Sequence, residues 1–207
     1  MSTDEAPAQR KCTLEPMNLH DQAQAAELLR QRKLCGWADT PEAIDEWRCA
    51  MDIKSKSLFW IKPTSHPDVR AGHISLDSEA HPPNLEIANP HDKSVLTIAT
   101  FFILPEHRRG GIGRAAVETL EKWATVEPYG SKNCKVVALT TLSRWYIEDD
   151  DGRAEYERMN GTEPSPRGAS NEDWYTRMGY VKWKDAPLYP GPDGYKFTAA
   201  YLSKRLI

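Results

Sequence analysis

The sequence lacks the features that mark several large protein classes. Only four of its 207 residues are cysteine. Cys12, Cys35, Cys49 and Cys134 are widely spaced, form no CxxC pair, and have no histidine nearby at zinc-site spacing. No metal site is expected, and the cysteines read as reduced thiols of an intracellular protein. No apolar run approaches the roughly 18 residues of a membrane span, so no membrane association is expected. The opening MSTDEAPAQRK is polar and has no signal-peptide core. Residues 1–10 are expected to be a disordered tail, and the location cytoplasmic, with the nucleus left open. An excess of one charge is also missing. Net charge is −3 with a pI near 6.1, which implies no general affinity for nucleic acid. There are no repeats and no coiled-coil heptads. The length suits a single domain over 11–207 with a sizeable core.

The strongest positive signal runs from Thr100 to Gly113, TFFILPEHRRGGIG. It closes an apolar stretch, Val95–Leu104, rich in β-branched and aromatic residues, which predicts a strand. Pro105 ends that strand because it has no N–H for the ladder. From Ile112 the period becomes helical, with Ala115, Ala116, Leu120, Trp123 and Ala124 on one side. A strand, a glycine turn and a helix start make an anion site, because several N–H groups and the positive end of the helix point outward together. Arg108 and Arg109 add formal charge. The predicted ligand is a phosphate or pyrophosphate. Gly111-Ile112-Gly113-Arg114-Ala115-Ala116 also fits the dinucleotide pattern G-x-G-x-x-A. However, the next predicted strand, Val136–Thr140, runs into Thr141-Leu142-Ser143 and offers no carboxylate for a ribose. A Walker A loop is absent, since no Gly-Lys-Ser/Thr follows.

Arg108, Gly111 and Gly113 fill the fixed positions of [QR]-x-x-G-x-[GA], directly after a strand and Pro105. Tyr175-Thr176-Arg177-Met178-Gly179-Tyr180 fits a second pattern, Y-x-x-x-G-[FY], at the end of a short helix. In these elements the chain resembles the GNAT superfamily of acetyl-CoA-dependent N-acetyltransferases. The resemblance is strong over about 100–183, and the wording of 100–142 and 170–186 is similar to fungal members. It implies a mixed α/β (α+β) fold in the order βααβββαβαββ. The sheet would be mixed but mostly antiparallel, with about seven strands splayed between the fourth and fifth, where the cofactor lies, and about four flanking helices. The residues agree with that order. Asp21 caps a first helix to Cys35, and Thr40-Pro41 opens a second to about Lys54. Strands are predicted near 11–14, 57–61, 71–77, 95–104, 136–140, 181–188 and 196–203.

By that resemblance acetyl-CoA is the co-substrate. Its pyrophosphate rests on Arg109, Gly110, Gly111, Ile112 and Gly113, with Arg108 and Arg114 beside them. Phe102, Ile103 and Leu104 meet the pantetheine arm through main-chain bonds, and the N–H near Ile103 faces the thioester oxygen. Tyr175 is the implied general acid for the leaving thiolate, and Asn171 an implied cofactor contact or helix cap. No base stands out. Thr97 occupies the slot where some members carry Glu on the fourth strand. That leaves Glu86, His91, Asp92, His73, Glu79 or a water chain. The segment 143–169 is longer than the family's usual connection and is read as an inserted loop. Its run Glu148-Asp149-Asp150-Asp151 reads either as a solvated turn or as a lid attracting a cationic amine, with Trp145 and Tyr146 walling an acceptor pocket. A helical turn is expected at Glu155–Met159. The expected activity is direct transfer, in a ternary complex, to the primary amine of a small molecule by a monomer or homodimer. The alternatives are a protein lysine or N-terminal acetyltransferase, and a non-catalytic acyl-CoA sensor.

Overall fold

The computed structural model describes residues 11–206. The expected tail over 1–10 lies outside the described residues. In chain order the elements are β1 Cys12–Pro16, α1 Gln22–Cys35, α2 Pro41–Asp52, β2 Lys56–Pro63, β3 Gly72–Asp77, β4 Val95–Thr97, β5 Phe101–Ile103, α3 Ile112–Trp123, β6 Val136–Leu142, α4 Trp145–Glu148, α5 Asp150–Asn160, α6 Asn171–Thr176, β7 Val181–Pro190 and β8 Lys196–Arg205. Backbone contacts divide the chain into two compact units. Among the described residues, one comprises 11–78 with Thr100–Lys132, and the other comprises Glu79–Ala99 with 133–206.

In the first unit β1, β2, β3 and β5 pair antiparallel in that order. The side chains of β2 alternate, and both faces are covered. Leu58 and Trp60 join Met17, Leu19, Leu28 and Ile44 in a core closed by Trp47 and Met51. Phe59 meets Trp123 and Tyr129 edge-on, with ring centroids 5.2 and 4.9 Å away. Helix α3 buries Ala116, Val117 and Leu120. Burying a Leu- or Val-sized side chain contributes about 1.5–3 kcal/mol each, so an apolar stripe of this kind is what holds α3. Both N-caps of the first two helices form as expected. Asp21 accepts from the Ala23 and Gln24 N–H groups, and Thr40 from Ala43.

In the second unit the order is β4-β6-β8-β7, with β4 parallel to β6 and the rest antiparallel. Ile87, Ala138, Ala199 and Tyr201 form its core, with Leu188 and Tyr189 against them.

The structure differs from the sequence expectation at two places. The fourth predicted strand, Val95–Leu104, is two strands. Val95–Thr97 pairs with Val136–Ala138, and the Ile98 N–H still donates to the Ala138 carbonyl. Phe101–Ile103 instead pairs with β3, and the Thr100 N–H donates to Ser75 Oγ at 3.1 Å. That raises the strand count among the described residues to eight. The segment 143–169, read as a loop, contains α4 and α5. Asp149 sets the start of α5 by accepting from the Asp151 and Gly152 N–H groups, and Gly161 ends it in the left-handed region.

Candidate active site

The predicted strand–turn–helix is present in the first unit. After β5 the chain makes a short helical turn over Pro105–His107. Arg109 (φ 70°) and Gly111 (φ 78°) both take left-handed backbone, and α3 begins at Ile112. No side chain caps α3, and its first turn carries no acidic residue. The N–H groups at its start therefore remain available, with the positive end of a 12-residue helix behind them. A Cβ on Gly110 would meet nothing within 4 Å, whereas one on Gly111 would stand 2.8 Å from Lys11 Nζ. These residues fit a diphosphate. The need for glycine at 111 comes from its positive φ and from Lys11.

Two of the three arginines beside α3, Arg108 and Arg114, are already engaged. Arg108 Nε donates to the Ile103 carbonyl at 3.0 Å, with its guanidinium over the Phe102 ring. Arg114 pairs with Glu118. Lys11 was not predicted. Its ammonium donates to the Gly110 carbonyl at 3.1 Å. At 99 positions away in sequence, it gave no local signal.

The register of β5 fixes what its backbone presents. The Leu104 N–H donates to Ala71 and the Ser75 N–H to Thr100, so residues 100, 102 and 104 are the ones bonded to β3. The Ile103 N–H therefore points to the opposite edge. Gly72 permits the close pairing, since a Cβ there would fall 2.1 Å from the Phe102 carbonyl oxygen. Phe102, Ile103 and Leu104 are buried.

Tyr175 and Asn171 belong to the second unit, on α6. Tyr175 is buried, its ring edge-on to Trp174 at 4.8 Å and Tyr180 at 5.4 Å. Burial, with the Tyr189 phenol as a second cause, pushes the Tyr175 phenol above its ordinary value. It therefore holds its proton throughout the physiological range. Burial likewise pushes Tyr189 up to about 12, and its hydroxyl donates to Thr140 Oγ1. Asn171 is exposed and is not the cap of its helix. Ser170 is, accepting from the Asp173 N–H.

Several candidate groups are removed by their partners. His73 is fully buried, with Nδ1 3.0 Å from Gln31 Oε1 and Nε2 3.3 Å from Arg32 Nη1. A guanidinium can only donate and an amide oxygen can only accept, so Nε2 accepts and Nδ1 donates. Burial, with Arg32 and Lys56 nearby, holds the ring well below the usual histidine range. A neutral imidazole with both nitrogens engaged has no lone pair to offer, so His73 is not the base. Thr97 is also committed, donating to the Ala138 carbonyl. Asp92 accepts from the Ser94 N–H in a local turn.

The acidic run is exposed at Asp149, Asp150 and Asp151 but is partly used by the helix that it opens. Asp149 caps α5, Asp150 and Asp151 lie in its first turn, and Arg167 bonds both the Glu148 carbonyl and Asp150. Tyr146 does not wall an open pocket. It is 1% exposed, and its hydroxyl accepts from the Thr198 N–H and meets Tyr195. Trp145 is 40% exposed and lines a cleft of about 360 Å³ with Ser143, Arg144, Glu148, Lys182 and Asp185.

Comparison with known proteins agrees with this geometry. The model of the Acetyltransferase (GNAT) family matches residues 23–143. The chain belongs to that family. It is an acyltransferase that takes an acetyl group from acetyl-CoA and delivers it to an amine. The matched range includes Phe102–Arg114 and ends before Asn171 and Tyr175. No curated protein matches the sequence. Among solved structures, spermidine N-acetyltransferase from Vibrio cholerae in complex with CoA and spermine is similar at 14% identity and TM-score 0.59, covering 94% of this chain and 95% of that one. A dodecameric structure of the same enzyme gives 10% identity and TM-score 0.57, covering 94% of each chain. A GNAT-family protein from Desulfovibrio desulfuricans gives 13% identity and TM-score 0.57, covering 94% and 98%. At these identities the likeness concerns the fold. Among the described residues no helix is long and apolar enough to cross a membrane, and no group of His, Cys, Asp and Glu has the arrangement of a metal site.

Proposed function

We propose that the chain acetylates the primary amine of a small molecule by direct transfer in a ternary complex. The uncapped start of α3 behind a left-handed glycine turn, following a strand whose Ile103 N–H faces away from its partner, carries this reading. Acetyl-CoA supplies an acetyl thioester whose carbonyl carbon accepts the amine nitrogen as the thiolate leaves. The N–H groups of 109–113 hold its diphosphate. The main chain of Phe102–Leu104 binds the pantetheine arm, and the Ile103 N–H steadies negative charge on the thioester oxygen. Arg108 holds the Ile103 carbonyl and so fixes the Ile103–Leu104 peptide, the unit that follows the Ile103 N–H. Tyr175 keeps a proton on its phenol and gives it to the leaving sulfur. With His73 and Thr97 committed elsewhere, the proton of the amine goes to Glu86, His91, Glu79 or a water chain.

A small acceptor is favoured over a protein by Thr97, since no carboxylate stands at that slot on β4 to act as base. The polyamine named with the Vibrio cholerae neighbour supports the same class. The test is a panel of amines, lysine peptides and free peptide N-termini with acetyl-CoA, following release of free thiol. A small primary amine should give the fastest release. Faster release with peptides would move the assignment to a protein acetyltransferase. Binding of acetyl-CoA without release from any acceptor would make the chain a sensor.

A further inference from the structure

Lys11 stands at the entry to β1, 99 positions before the glycine turn that it touches. Its ammonium donates to the Gly110 carbonyl at 3.1 Å. Its aliphatic stem lies under Gly111, with Cδ at 3.3 Å and Cε at 3.6 Å from where a Cβ would be. The next residue ties the same strand to the start of α3, since Cys12 Sγ lies 3.6 Å from the Ile112 carbonyl. The Lys11 carbonyl is itself held by the Thr64 N–H at 3.0 Å. One strand end thus contacts the turn and the helix start together.

A trans peptide is planar, and its C=O and N–H point in opposite directions. A side chain that captures the Gly110 carbonyl therefore sends the Gly111 N–H the other way. The peptide between Gly110 and Gly111 is the one most free to flip, because two glycines flank it. A flip would replace a donor with a carbonyl oxygen on the face that must meet an anion. Arg108 cannot prevent that flip, since its Nε is committed to the Ile103 carbonyl. Arg114 is paired with Glu118. Lys11 is the cation placed on the peptide itself.

We propose that Lys11 is a positioning residue for acetyl-CoA binding. It pins the Gly110–Gly111 peptide with its carbonyl toward β1, so that the Gly111 N–H is presented to the diphosphate. The proposal rests on the turn being the diphosphate site. Lys11 acts from behind the turn and makes no phosphate contact, so it contributes geometry and not a released counterion.

The test uses the full chain and CoA as probe, read by calorimetric titration at several salt concentrations. Lys11→Met keeps the stem and loses the donor, and Lys11→Arg keeps a donor. Lys11→Met should weaken CoA binding by about tenfold, equivalent to ~1.4 kcal/mol. The salt dependence of log Kd should match that of wild type, because the number of phosphate–cation contacts is unchanged. Lys11→Arg should restore most of the affinity. A shallower salt slope in Lys11→Met would overturn the positioning role in favour of direct phosphate contact. Wild-type affinity in Lys11→Met, with only a lowered melting temperature, would reduce Lys11 to a structural contact. If wild type itself fails to bind CoA, the turn is not the diphosphate site and both readings fall.

Discussion

Helices α3 and α5 are nearly equal in length, at 12 and 11 residues, and each begins beside a run of like charges. They use the same physics in opposite ways. Helix α3 has no side-chain cap, no acid in its first turn and basic residues around it. Helix α5 is capped by Asp149, carries Asp150 and Asp151 in its first turn, and has Arg167 against that acidic start. One helix start is left open to an external anion, while the other is satisfied by its own carboxylates. A helix start becomes a binding feature only where the fold leaves its N–H groups uncapped.

The largest effect expected is chemical. Tyr175→Phe removes a proton donor and almost no volume. kcat should fall by about 10²-fold, the lower end for general acid catalysis, with acetyl-CoA affinity unchanged. Since the buried phenol sits above its usual value, the activity of wild type should show no loss from tyrosine ionisation as pH rises through 9. Unchanged kcat under conditions where chemistry limits turnover would assign Tyr175 to packing.

A smaller effect belongs to His73. Its native imidazole is held below the histidine range, while the unfolded side chain titrates near 6.5. The unfolded state therefore binds more protons, and stability is fully present above that unfolded value and falls as pH drops below it. Between pH 7 and 5 the loss should be of order 1–2 kcal/mol by linkage. Chemical denaturation of wild type and His73→Asn across that range measures it. An equal pH slope in both would refute the buried neutral ring.

The smallest effect sharpens the contrast between the two helices. Asp149→Ala should cost about 1 kcal/mol through loss of the cap, whereas Asp149→Ser, which still caps, should cost little. Neither should change the KM of a cationic amine. If both variants raise that KM equally, the acidic run attracts substrate and is not spent on its own helix.

Much of the first unit was legible because its signals are local. Asp21, Thr40-Pro41, Pro105 and the glycines act on backbone within a few residues, and the structure places each where the pattern put it. The break in Val95–Leu104 was not legible. Ile98-Ala99-Thr100 contains no turn residue, and what divides the strand is a change of partner from β6 to β3. Helix α4 was missed, and of α5 only the turn at Glu155–Met159 was foreseen, for a different reason. The stretch DDGRAEYERMN is almost wholly polar, so no apolar stripe announced it, although the Asp149 cap and Gly161 were its readable ends. The committed states of His73, Tyr146 and Thr97 depend on partners 41 to 52 positions away, and so does the contact of Lys11 with Gly110 across 99.

The central claim is that the open start of α3 with its left-handed glycine turn holds acetyl-CoA. Calorimetric titration of acetyl-CoA into wild type and Gly111→Val tests it most directly. A β-branched residue does not tolerate φ near +78°, so the turn must change its backbone to accept Val. Wild type should bind and gain about 2.7 kcal/mol of stability at a hundredfold excess over Kd. A folded Gly111→Val protein should bind at least about 100-fold more weakly, a loss of ~2.7 kcal/mol. A folded variant with wild-type affinity would contradict the account.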